Sequence, residues 1–465
     1  MIYHQYPLFN WRSKLVVAIV FGLSFFISPQ LKSAPPNILF ILADDLGYGD
    51  LGCYGRVDIR TPHLDRLAAS GVRFTAHYAN GPECTPTRTA LMTGRYPQRI
   101  GGLECAIGTG NVGRYPDAVK LRERHALGLP PEENFLLNGL KQAGYLTAIT
   151  GKWHLGYEPH FAPHLHGFDE SFYCVGGGMD YFHYTDTVDE YNLFEDGKPV
   201  KTGGYFTDLL TDRAVSFLKR NHDRPFFLYV PFTVPHAPYQ GPEDWTPDPI
   251  PTDGDLWNQS KGPKPIYRAM IEHMDLSVGR ILSALESSGL DRETLVIFAG
   301  DNGGSKSGSN APFSGFKGGT FEGGIRVPAF ARWPGKINPG TISYQPCITT
   351  DWTASILKLA NWNPPAEKPL DGMDIISHVV NHQPDQDREL YWRKPRGETV
   401  WQGLRKGNWK YVREINGQQS EAYLFNLDID PSETEDLKTS MPEKFQELQS
   451  FYETWETESR RNRRR

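Results

Sequence analysis

Four short apolar runs limit the possible folds of this chain more than any other feature. Asn37 to Leu42 (NILFIL), Tyr145 to Thr150, Phe226 to Val230 and Leu295 to Ala299 (LVIFA) show no polar alternation. A strand covered on one face alternates, whereas a strand covered on both reads as a near-continuous hydrophobic run. Helical patterns lie between these runs. One opens at Thr61-Pro62, carries Leu64, Leu67 and Ala68 on one face and stops at Gly71; others cover Phe135 to Ala143, Thr207 to Arg220 and Tyr267 to Ser288. Strands alternating with helices predict an α/β fold with a mostly parallel sheet sandwiched by helices. The texture changes near Glu389. Leu390 to Arg393, Val400 to Leu404, Trp409 to Arg413 and Tyr423 to Leu427 read as short strands with Gly and Asn turns, followed by a polar helix from Pro442 to Ser459. A small antiparallel α+β domain is expected there, giving boundaries of 35–388 and 389–465.

The remaining residues, 1–34, read as an export signal. Arg12 and Lys14 precede an apolar run from Leu15 to Ile27, with small residues at Ser28, Ser33 and Ala34. An uncleaved membrane anchor is the alternative, though the run is short for a span and Pro29 limits it. On either reading the folded part is expected in a periplasmic, extracellular or lumenal space. No later window has the ~20 apolar residues a bilayer crossing needs. Five cysteines, at 53, 84, 105, 174 and 347, are an odd number, so at least one is unpaired, and their spacing matches no zinc site. A net charge of −6 argues against a general nucleic-acid binder. With 46 Gly and 36 Pro in 465 residues the fold is loop-rich.

Each buried run is followed by groups suited to chemistry: Asp44-Asp45, then Lys152 and His154 (GKWHLG), His236 (VPHAP), and Asp301-Asn302 (DNGG). The carboxyl ends of parallel strands share one edge, where ligands bind, so the four clusters should converge. The segment CTPTRTALMTGR (84–95) is the most specific signal. Pro86 presets the first helical turn and Gly94 caps the end, which puts Cys84 at a helix N-terminus, where free N–H groups favour anions. A buried thiol beside a capping box fits this pattern. So does a thiolate activated by the helix dipole and Arg88.

A third reading comes from resemblance. PNILFILADDLGYGDLGCYG, TPHLDRLAASGVRF, CTPTRTALMTGR, GKWHLG, HGFDESF, VPHAP, GDNGG and GFKGGTFEGGIRVPAF stand in the order found in the sulfatase family. The chain resembles that family from Asn37 to the C-terminal helix, with the texture of its arylsulfatase A and N-acetylgalactosamine-6-sulfatase branch. The resemblance implies an alkaline-phosphatase-like fold and a cysteine, here Cys84, oxidised to formylglycine (3-oxoalanine) by a formylglycine-generating or sulfatase-maturating enzyme. It also implies one divalent cation held by Asp44, Asp45, Asp301, Asn302 and residue 84. The oxygen ligands suit Ca²⁺, or Mg²⁺, and disfavour zinc. By the same resemblance Arg88 and Lys152 hold the hydrated aldehyde and His154 is the base that releases sulfate. Lys317 and His236 bind the sulfate and protonate the leaving oxygen. The family usually has Ser or Ala where Thr87 stands, a departure that bears on maturation rather than on the chemistry.

Two rivals remain at this level: a phosphonate or phosphate monoester hydrolase of the same superfamily, and a non-catalytic binding protein. A sulfated saccharide is the expected substrate, for two reasons. A long connection over roughly residues 101–132 carries Arg114, Lys120, Arg122, Arg124 and His125, and Gly176 to Tyr184 (GGGMDYFHY) sets aromatic rings beside a Gly turn. Those rings either stack on a pyranose or belong to the core. His164 and His166 are marginal pocket candidates, while His77, His222 and His378 are expected to be structural. The tail from Arg460 to Arg465 is expected to be a solvated end.

Overall fold

In the computed structural model, residues 1–5, 7, 35–220, 222–461 and 463 are described. The export signal therefore falls almost wholly outside them. No described helix is long and apolar enough to cross a membrane.

All four apolar runs are strands, and they lie side by side. Asn37–Ala43 pairs in parallel with Phe226–Pro231 on one side and Thr294–Gly300 on the other. Leu146–Lys152 extends the parallel set beyond Phe226–Pro231. A fifth parallel strand, Glu170–Cys174, completes the centre. The sheet has ten strands, with antiparallel pairing confined to its margins: Ala329–Arg332 beside Thr294–Gly300, and a small hairpin beside Glu170–Cys174.

Alternate residues of the first strand feed two separate cores, which is why its run shows no polar gaps. Ile38, Phe40 and Leu42 pack with Leu91, Leu136, Trp352 and Ile356. Leu39, Ile41 and Ala43 pack with Leu64, Leu210, Met274 and Val278 on the opposite face. One helical layer therefore holds Cys84–Thr93, Phe135–Gln142 and Thr349–Leu359, and the other holds Pro62–Ala69, Phe206–Lys219 and Lys264–Ser287.

A separate four-stranded antiparallel sheet follows: Glu389–Arg396, Thr399–Lys406, Trp409–Asn416 and Gln419–Asn426. Each connection has a glycine (Gly397, Gly407, Gly417) near φ 57°, the left-handed geometry that tight hairpin turns require. The helix Pro442–Ser459 lays Leu448, Tyr452 and Trp455 on this sheet beside Trp392 and Tyr411. Buried polar contacts join this sheet to the rest. Trp392 Nε1 donates to the Ala79 carbonyl (2.7 Å), and Lys410 pairs with Glu322 (2.7 Å), which also accepts from Tyr78 (2.5 Å).

Two expectations need correction. Residues 101–132 are not an open loop, because Pro116–Glu123 is a helix and Pro131–Glu133 a 3-10 turn. The helix buries only Ala118 and Leu121, so it carries little periodic signal. The tail is not wholly solvated either. Arg463 is nearly buried and pairs with Glu104 and Asp117, since the buried Glu104 carboxylate, which Arg393 also meets, draws cations to it. All five cysteines are free.

Candidate active site

The strand ends converge as their topology requires. Asp44, Asp45, Cys84 and Asp301 place one ligand atom each within 4.8 Å of one another, and all four residues are buried. Asp45 holds φ at 64°, a conformation uncommon for a side-chain-bearing residue. Its own N–H bonds Asp301 Oδ1 (3.2 Å), which fixes the turn.

The cations around this cluster divide the carboxylates between them. Lys152 Nζ meets Asp44 Oδ2 at 2.5 Å and Cys84 Sγ at 3.4 Å, and the thiol bonds Asp44 Oδ1 (3.1 Å). Arg88 directs Nε and Nη2 at Asp301 Oδ2 (3.1 and 2.9 Å) and Nη1 at the Lys152 carbonyl (2.8 Å). Lys317 Nζ and Asn302 Nδ2 both bond Asp45, each at 2.8 Å. Burial pushes the Asp301 carboxyl up, with Asp44 adding to it. Burial pushes Asp45 the same way, but Lys317 and His236 outweigh it and hold that group below the usual carboxylate range.

Cys84 opens its helix, as Pro86 and the left-handed Gly94 (φ 66°) led one to expect. Burial, then Asp301 and Asp44, push its thiol well up. This disfavours the activated-thiolate reading, since burial and the two carboxylates together outweigh the pull of Lys152 and Lys317. Thr87 fits its departure from the family pattern by bonding Gly81 N and O through its hydroxyl, at 3.1 Å each.

The two histidines differ in their free atoms. His154 Nε2 donates to the Ile107 carbonyl (2.9 Å), leaving Nδ1 as a buried acceptor with no partner among the described residues. Burial and the Lys152 charge drive its pKa well down, so the ring is neutral. His236 Nδ1 donates to the Ala237 carbonyl (2.5 Å), and its Nε2 accepts from Gln259 (2.9 Å) and lies 3.9 Å from Asp45. Burial and Lys317 lower its pKa to about 3. Glycines keep both rings uncrowded. A Cβ on Gly177 would sit 3.0 Å from the His154 ring, and one on Gly178 3.0 Å from His236 Nδ1.

Cys84, His154, His236 and Lys317 face a cavity of about 1000 Å³. Of the basic residues on 101–132 only Arg114 lines it; Lys120, Arg122 and Arg124 do not, and His125 pairs with Glu158 instead (2.8 Å). The aromatic segment resolves as core, with Tyr181 and Tyr184 each 1% exposed and bonded to backbone carbonyls. His166 packs on Trp153 and His164 lies against Gly197, so neither reaches the cavity. His77 bonds Trp352 Nε1 inside the core.

Sequence reasoning missed Gln259, Trp257 and the wall supplied by Lys394, Arg396 and Trp401 of the second sheet. Lys394, Arg396 and Trp401 lie on strands that read as a separate domain, and Trp257 and Gln259 lie in and just after the 3-10 turn Asp255–Trp257, so no local signal tied them to the strand-end cluster.

The sulfatase family model matches residues 36–362. The chain is 36% identical to N-acetylgalactosamine-6-sulfatase of Canis lupus familiaris over 413 residues, covering 84% of this chain and 73% of that protein. It superposes on the crystal structure of Ps i-CgsB in complex with k-i-k-neocarrahexaose with a TM-score of 0.79 and 32% identity, covering 92% of this chain and 94% of that one. PsFucS1 sulfatase from Pseudoalteromonas sp. gives a TM-score of 0.73 at 25% identity, with 92% and 91% covered. With the matched residues spanning most of the chain and including every strand-end cluster, this protein belongs to the sulfatase family of sulfuric ester hydrolases.

Proposed function

We propose that this chain removes sulfate from sulfated carbohydrates, using a formylglycine made from Cys84 by a maturating enzyme and a divalent cation, Ca²⁺ or Mg²⁺. The observation that carries the reading is the buried cluster of Asp44, Asp45, Asp301 and residue 84 at the strand ends. The residues fit a hard cation. Three carboxylates converge, and Asn302 Oδ1 is buried with no hydrogen-bond partner among the described residues. Asp44, Asp45, Asp301, Asn302 and residue 84 would hold the ion. When bound, such an ion polarises sulfate oxygens and lowers the pKa of a neighbouring hydroxyl, and a hydrated formylglycine offers two hydroxyls, one to attack and one to release. A carbohydrate substrate is supported by the relative named N-acetylgalactosamine-6-sulfatase and by the oligosaccharide complex of Ps i-CgsB. Export through residues 1–34 belongs to the same proposal.

The chain's own groups take defined parts. Lys152 orients the side chain at 84 against Asp44. Arg88 is a positioning residue, since its fork is spent on Asp301 and the Lys152 carbonyl. His154, neutral with Nδ1 free, is the proton acceptor for sulfate release. Lys317 and His236 meet the sulfate across the cavity. An arriving anion raises the His236 pKa by charge attraction and so lets Nε2 donate to the leaving oxygen.

The test of this reading is sulfate release from a panel of defined sulfated saccharides, set against phosphate and phosphonate esters of matched alcohols. Faster turnover of the sulfate esters is expected; a preference for phosphorus esters would overturn it. Asp45→Ala should lower kcat/KM roughly 10²–10³-fold, and metal analysis should find calcium or magnesium in wild type and much less in the variant. Two zinc ions per chain would contradict the ligand assignment.

A further inference from the structure

Beyond the sulfate-handling groups, the cavity wall carries cations that the reaction does not use. The Gly397 N–H bonds the Arg114 carbonyl at 2.8 Å, so the hairpin turn of the second sheet is tied to the segment that bears Arg114. Arg114 and Arg396 both line the cavity, and each has a buried Nε with no hydrogen-bond partner among the described residues. Buried donors are ordinarily satisfied, so two orphan guanidinium nitrogens on one cavity call for an acceptor. The nearby carboxylates do not meet that need. Glu83 is shared between Lys394 and Arg396, at 3.5 Å from each, and Arg114 has no ion-pair partner among the described residues. Glu414, the other carboxylate lining the cavity, is exposed and has no ion-pair partner among the described residues. Trp401 lies beside them, its ring capped by Lys394 Nζ at 3.6 Å, and offers an apolar face at the same wall.

The wall is held in place from behind. Glu83 accepts from the Ala106 N–H (2.8 Å), and Glu104 pairs with Arg393 (2.5 Å). The segment 104–114 is thereby pinned between the helix N-terminus at Cys84 and the second sheet, which lets its arginine act without a large ordering cost.

We infer that Arg114 and Arg396 form a second anion subsite, which takes a sulfate or carboxylate on the saccharide in addition to the scissile sulfate held near Lys317. This rests on the proposed carbohydrate sulfatase activity and narrows its substrate to a polyanionic saccharide. A guanidinium fork matches the planar or tetrahedral oxyanion geometry of either group.

The experiment compares wild type with Arg114→Gln, Arg396→Gln and the double variant on three disaccharides. One carries the scissile sulfate alone, one an added sulfate and one an added carboxylate. Wild type should prefer a doubly charged substrate, and the arm with the higher kcat/KM identifies the anion. Each substitution should reduce that preference by about tenfold, mainly through KM. The side chain of Arg396 is 41% exposed, so its variant keeps the test available if Arg114→Gln does not fold. Titration of the doubly charged disaccharide into a Cys84→Ala background reads the subsite without turnover. About tenfold weaker binding per arginine is expected there, and equal affinity in all variants overturns the subsite. No preference in wild type, or equal losses on all three disaccharides, overturns it as well. Failure of wild type to release sulfate from any of them, with the binding differences intact, would instead remove the proposed activity and leave the subsite standing.

Discussion

Replacing Cys84 with Ala should lower sulfate-ester turnover by roughly 10⁴-fold or more, because attack and release both depend on the side chain at that position. The fold should survive. Cys84 is a small buried side chain at a helix start, and the helix is anchored by Arg88 and by Thr87 bonding Gly81. An unchanged circular dichroism spectrum beside the activity loss is the expected pair of results. A Cys84→Ala enzyme retaining a tenth of wild-type turnover would show that another group attacks sulfur.

A second large effect should appear far from the cavity. Lys410 is fully buried between Glu322 (2.7 Å) and Glu433 (3.5 Å), while Glu322 also holds Arg326 (3.1 Å) and Tyr78. Lys410→Met leaves two buried carboxylates facing each other with one cation removed. Breaking a buried pair from one side costs about 3–5 kcal/mol, measurable as a lower midpoint in urea unfolding. The exposed Lys261–Asp255 pair (3.0 Å) is the control, since its loss should be near the scatter of the measurement. A Lys410→Met midpoint equal to that of Lys261→Ala would mean that the network does not clamp the second sheet. The clamp also bears on substrate binding, because the strands it fixes carry Lys394, Arg396 and Trp401 to the cavity wall.

The parallel centre was legible because Asn37–Ala43 and its neighbours bury both faces, and the resulting apolar runs cannot be mistaken for one-sided strands. The convergence of Asp44, Lys152, His236 and Asp301 followed from topology, since parallel neighbours share a carboxyl edge. Thr349–Leu359 went unread for the opposite reason. It is buried on nearly every side, Thr349 through Leu357, and Thr350, Asp351, Thr353 and Ser355 are buried along with its apolar residues, so polarity did not separate an inner from an outer face. Glu170–Cys174 was visible only as part of a motif, as five residues with a polar start make a weak strand signal. The cavity wall was hidden by distance along the chain. Arg114 bears on Arg396 only through a hairpin that reads as another domain, and Trp401 looks like an ordinary strand aromatic until its partners are in place. Conversely, the basic residues Arg122 and Arg124 drew attention by their number, but their helix turns them away from the cavity.

Sulfate hydrolysis is proposed to run on a matured residue 84. Mass spectrometry of the tryptic peptide Phe74–Arg88, on preparations made with and without a co-expressed maturating enzyme, tests it most directly. The aldehyde form should rise with co-expression, and specific activity toward a sulfate ester should rise in proportion to it, extrapolating to zero where only the thiol is present. Full activity in a preparation whose peptide carries only unmodified Cys84 would contradict the claim.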